Sequence, residues 1–126
     1  VGSPGYGWHD GRTRYYSQFL KGAYQMLLHT INKSPFDKNT FDICISHAKK
    51  GSSILLIEDG VYAVMKGTAY EGKVKDTMKD VKVYVLGPDA KARGIDDSSI
   101  IDGIESVDYV GFVELTANHD SVQSWL

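Results

Sequence analysis

Cysteine, proline and excess positive charge are scarce in this chain of 126 residues, which contains one cysteine and three prolines. Its single cysteine, Cys44, excludes an internal disulfide and the zinc sites that need two or more thiolates. The 14 basic side chains are outnumbered by 16 acidic ones, so the chain lacks the basic field that dominates nucleic-acid affinity. These absences predict a protein of a reducing compartment that does not bind nucleic acid directly.

Long hydrophobic runs are also missing. The longest aliphatic run is Ile54–Ile57, whereas a membrane-spanning helix needs about 20 apolar residues. The first 25 residues contain no apolar core of a secretory signal. Because 42% of the residues are hydrophobic and the length suits one domain, we expect a single globular domain that is cytoplasmic and has no membrane partner.

Residues 1–25 differ in composition from the rest of the chain. They are rich in glycine and aromatic residues, and they carry three basic side chains against one acidic side chain. Basic and aromatic residues together can stack on nucleic-acid bases, but a flexible or artificial extension explains this composition more simply. We therefore predict an N-terminal extension at 1–25, a natural start at Met26 and a folded domain over 26–126.

The chain from Met26 onward alternates between strand-like and helix-like patterns. Short β-branched and aliphatic runs predict strands, and apolar residues spaced at i, i+3, i+4 and i+7 predict helices. The predicted strands are 26–31, 53–57, 81–86 and 106–110, and the predicted helices are 40–50, 60–65, 71–79 and 89–93. We expect one or two C-terminal helices to carry Phe112, Val113 and Leu115 and then Val122, Trp125 and Leu126. This order predicts an α/β fold with a mainly parallel sheet of about four to five strands and helices on both faces.

Cys44 is the residue on which two interpretations diverge. It shares the apolar stripe of the predicted helix with Phe41, Ile45 and Ala48, which favours a role in core packing because burial suppresses thiolate formation. Its position about one turn from a helix N-terminus and three residues before His47 favours a thiolate that carries a persulfide. From the residues alone, both a packing role and a sulfur-carrying role stay open.

Other candidate motifs give little support for catalysis. The segment Gly67–Val74 has the spacing of a phosphate-binding loop, but Val74 replaces the hydroxyl residue that binds magnesium. The histidines lack metal-ligand spacing, and the paired carboxylates Glu58–Asp59 and Asp96–Asp97 adjoin turn residues. We therefore predict no metal, no cofactor and no independent catalytic centre apart from a candidate role for Cys44.

Four segments in register resemble the DsrH/TusB family of sulfur-relay proteins over 26–126. They are LHTINKSPF (28–36), LIEDGVYA (56–63), VYVLGPDAKARG (83–94), and VDY (107–109) together with the terminal SWL (124–126). Residues 1–25 have no counterpart in the family pattern.

The resemblance implies a three-layer DsrE/F-like sandwich and a subunit of a sulfur-relay, or sulfurtransferase, complex. The expected partners are DsrE/TusD-like and DsrF/TusC-like sister subunits in a heterohexamer, together with a downstream sulfur acceptor. Such complexes pass persulfide sulfur toward 2-thiouridine in tRNA or act in sulfur oxidation, and Lys33, Phe36 and Cys44 lean toward the sulfur-oxidation branch. The alternative to a sulfur carrier is a purely structural assembly subunit that is not catalytic alone.

Overall fold

Five parallel strands form one central sheet in the computed structural model, which describes residues 26–126. The predicted extension at 1–25 lies outside the described residues. Each strand in the sheet runs parallel to its neighbours, in the spatial order β4-β3-β2-β1-β5 given by the labels that follow. The strands are β1 (Leu27–Ile31), β2 (Ser53–Leu56), β3 (Lys82–Leu86), β4 (Glu105–Val107) and β5 (Ser121–Trp125).

Helical segments connect these strands. The α-helices are α1 (Thr40–His47), α2 (Glu71–Thr77), α3 (Gly87–Ala92) and α4 (Tyr109–Asn118), and two 3₁₀ helices span Glu58–Val64 and Asp97–Ser99. The prediction of a short helix near 60–65 is thus met by a 3₁₀ helix that begins two residues earlier. Within residues 26–126, no helix is long and apolar enough to cross a membrane.

The sheet is covered on both faces, but unequally. One face carries Ile31, Ile54 and Val85, which pack with residues of α1, α2, α3 and the first 3₁₀ helix in the larger core. The other face carries Leu28 and Leu55, which pack under Leu115 of α4 in a smaller core. The three-layer α/β architecture expected from the sequence is confirmed. The central strand β2 is buried on both faces, which explains its uninterrupted aliphatic sequence.

Gly60 marks a close approach between the first 3₁₀ helix and β1. A Cβ atom at this position would lie 2.2 Å from the carbonyl oxygen of Ile31. The same oxygen accepts a hydrogen bond from the backbone nitrogen of Ile57 at 3.0 Å. Glycine is therefore needed at position 60 because two backbone segments meet there without space for a side chain.

The region predicted as a strand at 106–110 changes to helix within that range. β4 ends at Val107, and Tyr109 and Val110 already belong to α4. Asp108 separates the two elements, and its side chain accepts a 2.8 Å hydrogen bond from the backbone nitrogen of Gly111. The helix N-cap at Asp108 thus overrides the β propensity of the following tyrosine and valine.

The C-terminal helix expected to carry Phe112, Val113 and Leu115 is α4. The prediction that Val122, Trp125 and Leu126 also lie in a helix is wrong. Residues 121–125 form β5, which runs parallel to β1 with Val122 opposite Leu28 and Trp125 opposite Ile31. The strand forms because the edge of β1 offers a ladder of backbone hydrogen-bonding groups, which no local sequence pattern reveals. Leu126 follows the strand and is exposed.

Candidate functional site

Cys44 lies on the side of α1 that faces the sheet. Phe41 and Cys44 are the two buried residues of this helix, and both belong to the larger core. The thiol group is completely enclosed, with an exposed fraction of 0% for the residue. The apolar stripe predicted from the sequence therefore places the only cysteine inside the protein.

Burial determines the chemistry of this thiol. The loss of solvation raises the pKa of Cys44 to about 12, from an ordinary value of 9.0. A thiolate is the nucleophile in sulfur transfer, so this environment opposes the reactive form of the side chain. Desolvation is the cause of this shift, and within residues 26–126 the Cys44 sulfur forms no hydrogen bond.

His47, the residue expected to assist Cys44, is instead bonded to its own helix. Its ring Nδ1 lies 2.9 Å from the carbonyl oxygen of Ile43 and 3.2 Å from Oγ of Ser46. The imidazole is exposed, and its ring centre lies 6.0 Å from that of Trp125. His47 follows Cys44 by three residues, as the sequence requires, but its imidazole lies outside the core that encloses the sulfur.

A second histidine lies below α1, on β1. His29 is buried, with 2% of its surface exposed, and Nε1 of Trp125 is 3.0 Å from its Nδ1. The indole nitrogen can only donate, so Nδ1 of His29 accepts and its proton resides on Nε2. Burial also lowers the pKa of His29, which favours this neutral form. The pair links the edge strand β5 to the neighbouring strand β1.

The Nε2 atom of His29 is a buried polar atom without a hydrogen-bond partner in the described part of the chain. Most buried polar groups are hydrogen-bonded, because a buried donor without a partner lowers the stability of the fold. The side chain of His29 is an exception to this rule. The sequence provided no signal for the pair with Trp125, because the two residues are 96 positions apart and Trp125 was expected in a helix. Trp125 also packs against the hydrophobic cluster that contains Cys44.

The segment Gly67–Val74 consists of a polar turn at 67–70 and the first turn of α2, in which Val74 is buried. The backbone nitrogen of Gly67 donates a 2.6 Å hydrogen bond to Oε1 of Glu71. In a phosphate-binding loop such an amide would donate to the bound phosphate, whereas here it is already bonded to a carboxylate of the chain. Lys73 reaches Asp42 on α1 at 2.7 Å instead of pointing into an anion site. This geometry favours the structural interpretation of the segment over nucleotide binding.

Several carboxylates lie after the C-terminal ends of β2 and β3, where they form ion pairs and hydrogen bonds that stabilise the fold. Asp59 pairs with Arg93 at 2.9 Å, and Asp89 accepts a hydrogen bond from the backbone nitrogen of Glu58. Glu58 holds a left-handed backbone conformation with φ of 49°. Across residues 26–126, no group of three or more His, Cys, Asp or Glu side chains is arranged to hold a metal ion.

Comparison with known proteins gives consistent matches over this domain. The model of the family described as "DsrH like protein" matches residues 33–122. Protein TusB from Escherichia coli O81 (strain ED1a) is 35% identical over 99 residues, which cover 79% of this chain and 100% of the relative. Protein TusB from Shigella flexneri is 34% identical over the same length.

Solved structures share the fold at lower sequence identity. The ychN protein from E. coli superposes with a TM-score of 0.67 and 20% identity, covering 80% of this chain and 99% of that one. A protein of unknown function from Methanobacterium thermoautotrophicum gives a TM-score of 0.66 at 16% identity, with coverage of 80% and 99%. At these identities the likeness supports the α/β fold alone.

Proposed function

The chain belongs to the DsrH family, which includes the TusB proteins, and from this premise we propose that it is a subunit of a sulfur-relay complex. Its own contribution is to build the complex and to dock the proteins that exchange sulfur. The persulfide chemistry then takes place on cysteines of the sister subunits. In this assignment the chain is not catalytic alone, and Cys44 is a packing residue.

The burial of Cys44 is the observation that carries this proposal. In persulfide transfer an acceptor thiolate attacks the outer sulfur of a donor persulfide, forms a new S–S bond and releases the donor as a thiolate. The acceptor needs an ionised, accessible sulfur, whereas Cys44 is fully enclosed and its pKa is raised to about 12. A role as carrier requires α1 to move away from the sheet before each transfer.

Exposed apolar side chains support an assembly role. They lie on α4 and along the end of the chain, where a soluble monomer normally presents polar groups to water. The set comprises Tyr109, Val110, Val113, Val122 and Leu126. Val122 and Leu126 lie at the surface, while Trp125 of β5 is half-buried beside His47 of α1.

We assign the partners by the family resemblance. They are DsrE/TusD-like and DsrF/TusC-like subunits in a heterohexamer, with a separate protein as the downstream sulfur acceptor. The setting is cytoplasmic, either sulfur oxidation or 2-thiolation of the tRNA wobble uridine. Lys33, Phe36 and Cys44 favour the sulfur-oxidation branch, and loss of 2-thiouridine in a deletion strain would instead establish the tRNA branch.

Mass spectrometry separates the assembly role from the carrier role. The purified native chain is incubated with a low-molecular-weight persulfide donor, and the mass of the peptide that contains Cys44 is measured. We expect no gain of about 32 Da on the native chain, the mass of one sulfur atom, and we expect the gain to appear after denaturation. A rapid gain on the native chain, absent in Cys44→Ala, would establish Cys44 as a carrier.

Co-expression tests the assembly itself. The chain is produced together with its sister subunits, and the mass of the purified complex is measured under native conditions. We expect the Cys44→Ala variant to assemble with the same subunit composition as the wild type, because Cys44 contributes packing rather than sulfur chemistry. Recovery of the chain only as a free monomer would contradict the proposed function.

A further inference from the structure

A groove runs between α4 and the edge of the sheet formed by β3 and β4. It encloses about 750 Å³ and lies on the sheet face that α4 covers only in part. Tyr84, Val107 and Leu115 provide its apolar surfaces. Glu105 and Glu114 stand on opposite sides of it, one on β4 and the other on α4.

The charged side chains that line the groove are negative, and one cation lies beside it, because Nζ of Lys82 is 5.9 Å from the ring centre of Tyr84. Three of its lining residues are acidic, and none is Lys or Arg: Glu105, Asp108 and Glu114. Asp108 is engaged in capping α4, but neither Glu105 nor Glu114 forms an ion pair within residues 26–126. The asymmetry extends along the chain, because residues 94–126 contain several acidic residues and neither lysine nor arginine.

The helix beside the groove is unusually apolar for a surface element. Glu114 is the one charged residue of α4, while Val110 and Val113 are each 66% exposed and Tyr109 is 60% exposed. A surface helix normally turns charged residues to water, so an apolar outer face indicates contact with another molecule. Val110 both lines the groove and belongs to this exposed face.

The other side of the groove is formed by an edge strand of the sheet. β4 is the terminal strand of the sheet, and beyond it no further strand follows in the described residues. An edge strand offers backbone donors and acceptors to an added extended segment. Glu105 and Val107 lie on the sheet face that borders the groove. This edge of the groove therefore presents one carboxylate and one apolar side chain, two residues apart.

We propose that this groove binds an extended, basic segment of a partner protein. The segment pairs with the edge of β4, directs Lys or Arg side chains to Glu105 and Glu114, and packs apolar side chains against Val107 and Val110. Three acidic side chains against the single neighbouring Lys82 give the groove a net negative charge, which disfavours nucleic acids and anionic membranes and favours a cationic polypeptide. The inference deepens the proposed function, on which it rests for the existence of a protein partner.

Synthetic peptides provide the test. A fluorescent peptide of sequence KTVTKTV, which places Lys and Val together on one face of an extended strand, is titrated with the full chain at low salt, and its charge-reversed form ETVTETV is the control ligand. We expect the basic peptide to bind at least about tenfold more tightly, with affinity that falls as salt is raised. Amide NMR shifts are expected at Glu105–Val107 and along the groove side of α4.

Variants locate the binding site. The double variant Glu105→Gln/Glu114→Gln is expected to weaken binding of the basic peptide about tenfold or more, since both neutralised groups face it. The matched control Asp37→Asn/Asp76→Asn removes two exposed carboxylates that do not line the groove and is expected to change affinity less than about twofold. Circular dichroism verifies that each variant is folded.

Several outcomes would overturn the inference. These are equal affinity for the acidic peptide, unchanged binding by the Glu105/Glu114 variant, shifts confined to another surface, or preferential binding of a single-stranded RNA oligomer. This test is independent of the assembly test. If the chain assembles with its sister subunits but does not bind the basic peptide, only the proposed role of the groove is refuted. A chain that binds the peptide but joins no subunit refutes the proposed function.

Discussion

The indole nitrogen of Trp125 donates a 3.0 Å hydrogen bond to Nδ1 of His29, which joins the last strand of the sheet to the first. The two residues are 96 positions apart in the chain. Their side chains lie on the sheet face that α1 covers, where Trp125 packs beside the cluster containing Cys44. The bond therefore anchors an edge strand at the place where the candidate sulfur residue is enclosed.

Replacing Trp125 by phenylalanine keeps an aromatic ring but removes the donor. We expect the free energy of unfolding to fall by about 1 to 3 kcal/mol, because Nδ1 of His29 remains buried without its partner. Urea unfolding measures the loss. In a His29→Leu background the same change should cost clearly less, and an equal cost in both backgrounds would show that the hydrogen bond contributes little.

Acid is expected to destabilise the fold through His29. Burial lowers the pKa of His29 in the folded protein, so the unfolded chain binds the proton more readily. Its contribution to stability is therefore intact above pH 6.5, the ordinary pKa, and is lost as the pH falls below it, by at most about 1.4 kcal/mol per pH unit. Urea unfolding between pH 8 and pH 5 measures this slope.

The variant His29→Asn keeps an acceptor for Trp125 but does not titrate. It should reduce the acid slope even if its stability at pH 8 is lower. The control His47→Asn removes an exposed imidazole and should retain the wild-type slope. An unchanged slope in the His29 variant would assign the acid sensitivity to other groups.

Cys44 should react slowly with thiol reagents. With a pKa of about 12 instead of 9.0, its thiolate fraction at pH 8 is lower by about a thousandfold. The labelling rate of the native chain should keep rising with pH beyond 9, because ionisation is incomplete there, and complete labelling should follow denaturation. A plateau near pH 9 with fast labelling would reveal an accessible thiol of ordinary acidity.

Two glycine substitutions should change stability in opposite directions. Gly60→Ala places a methyl group 2.2 Å from the carbonyl oxygen of Ile31, so it should cost about 3 kcal/mol or more. Gly72→Ala is the matched control, because nothing lies within 4 Å of the added atom and the residue is in α2. It should stabilise the chain by about 0.5 to 1 kcal/mol, measured by urea unfolding. Equal effects of the two substitutions would contradict the close approach at Gly60.

Local patterns predicted much of the fold. The aliphatic run at 53–57 and the apolar spacing around Cys44 correspond to β2 and α1, because burial on two faces or on one stripe leaves a direct imprint on the sequence. The boundary after β4 was misplaced because tyrosine and valine favour strands in general, whereas the cap at Asp108 acts only where the chain turns.

The sequence by itself determined the α/β class, the first three strands with the helices between them and the apolar stripe that contains Cys44, since each depends on hydrophobic periodicity over neighbouring residues. Only the tertiary structure decided that 121–125 is a strand and that Trp125 meets His29. It also brought Glu105 and Glu114 to one groove. These features depend on pairing across the sheet between distant segments, whose backbone hydrogen bonds and packing leave no periodic signal in either segment alone.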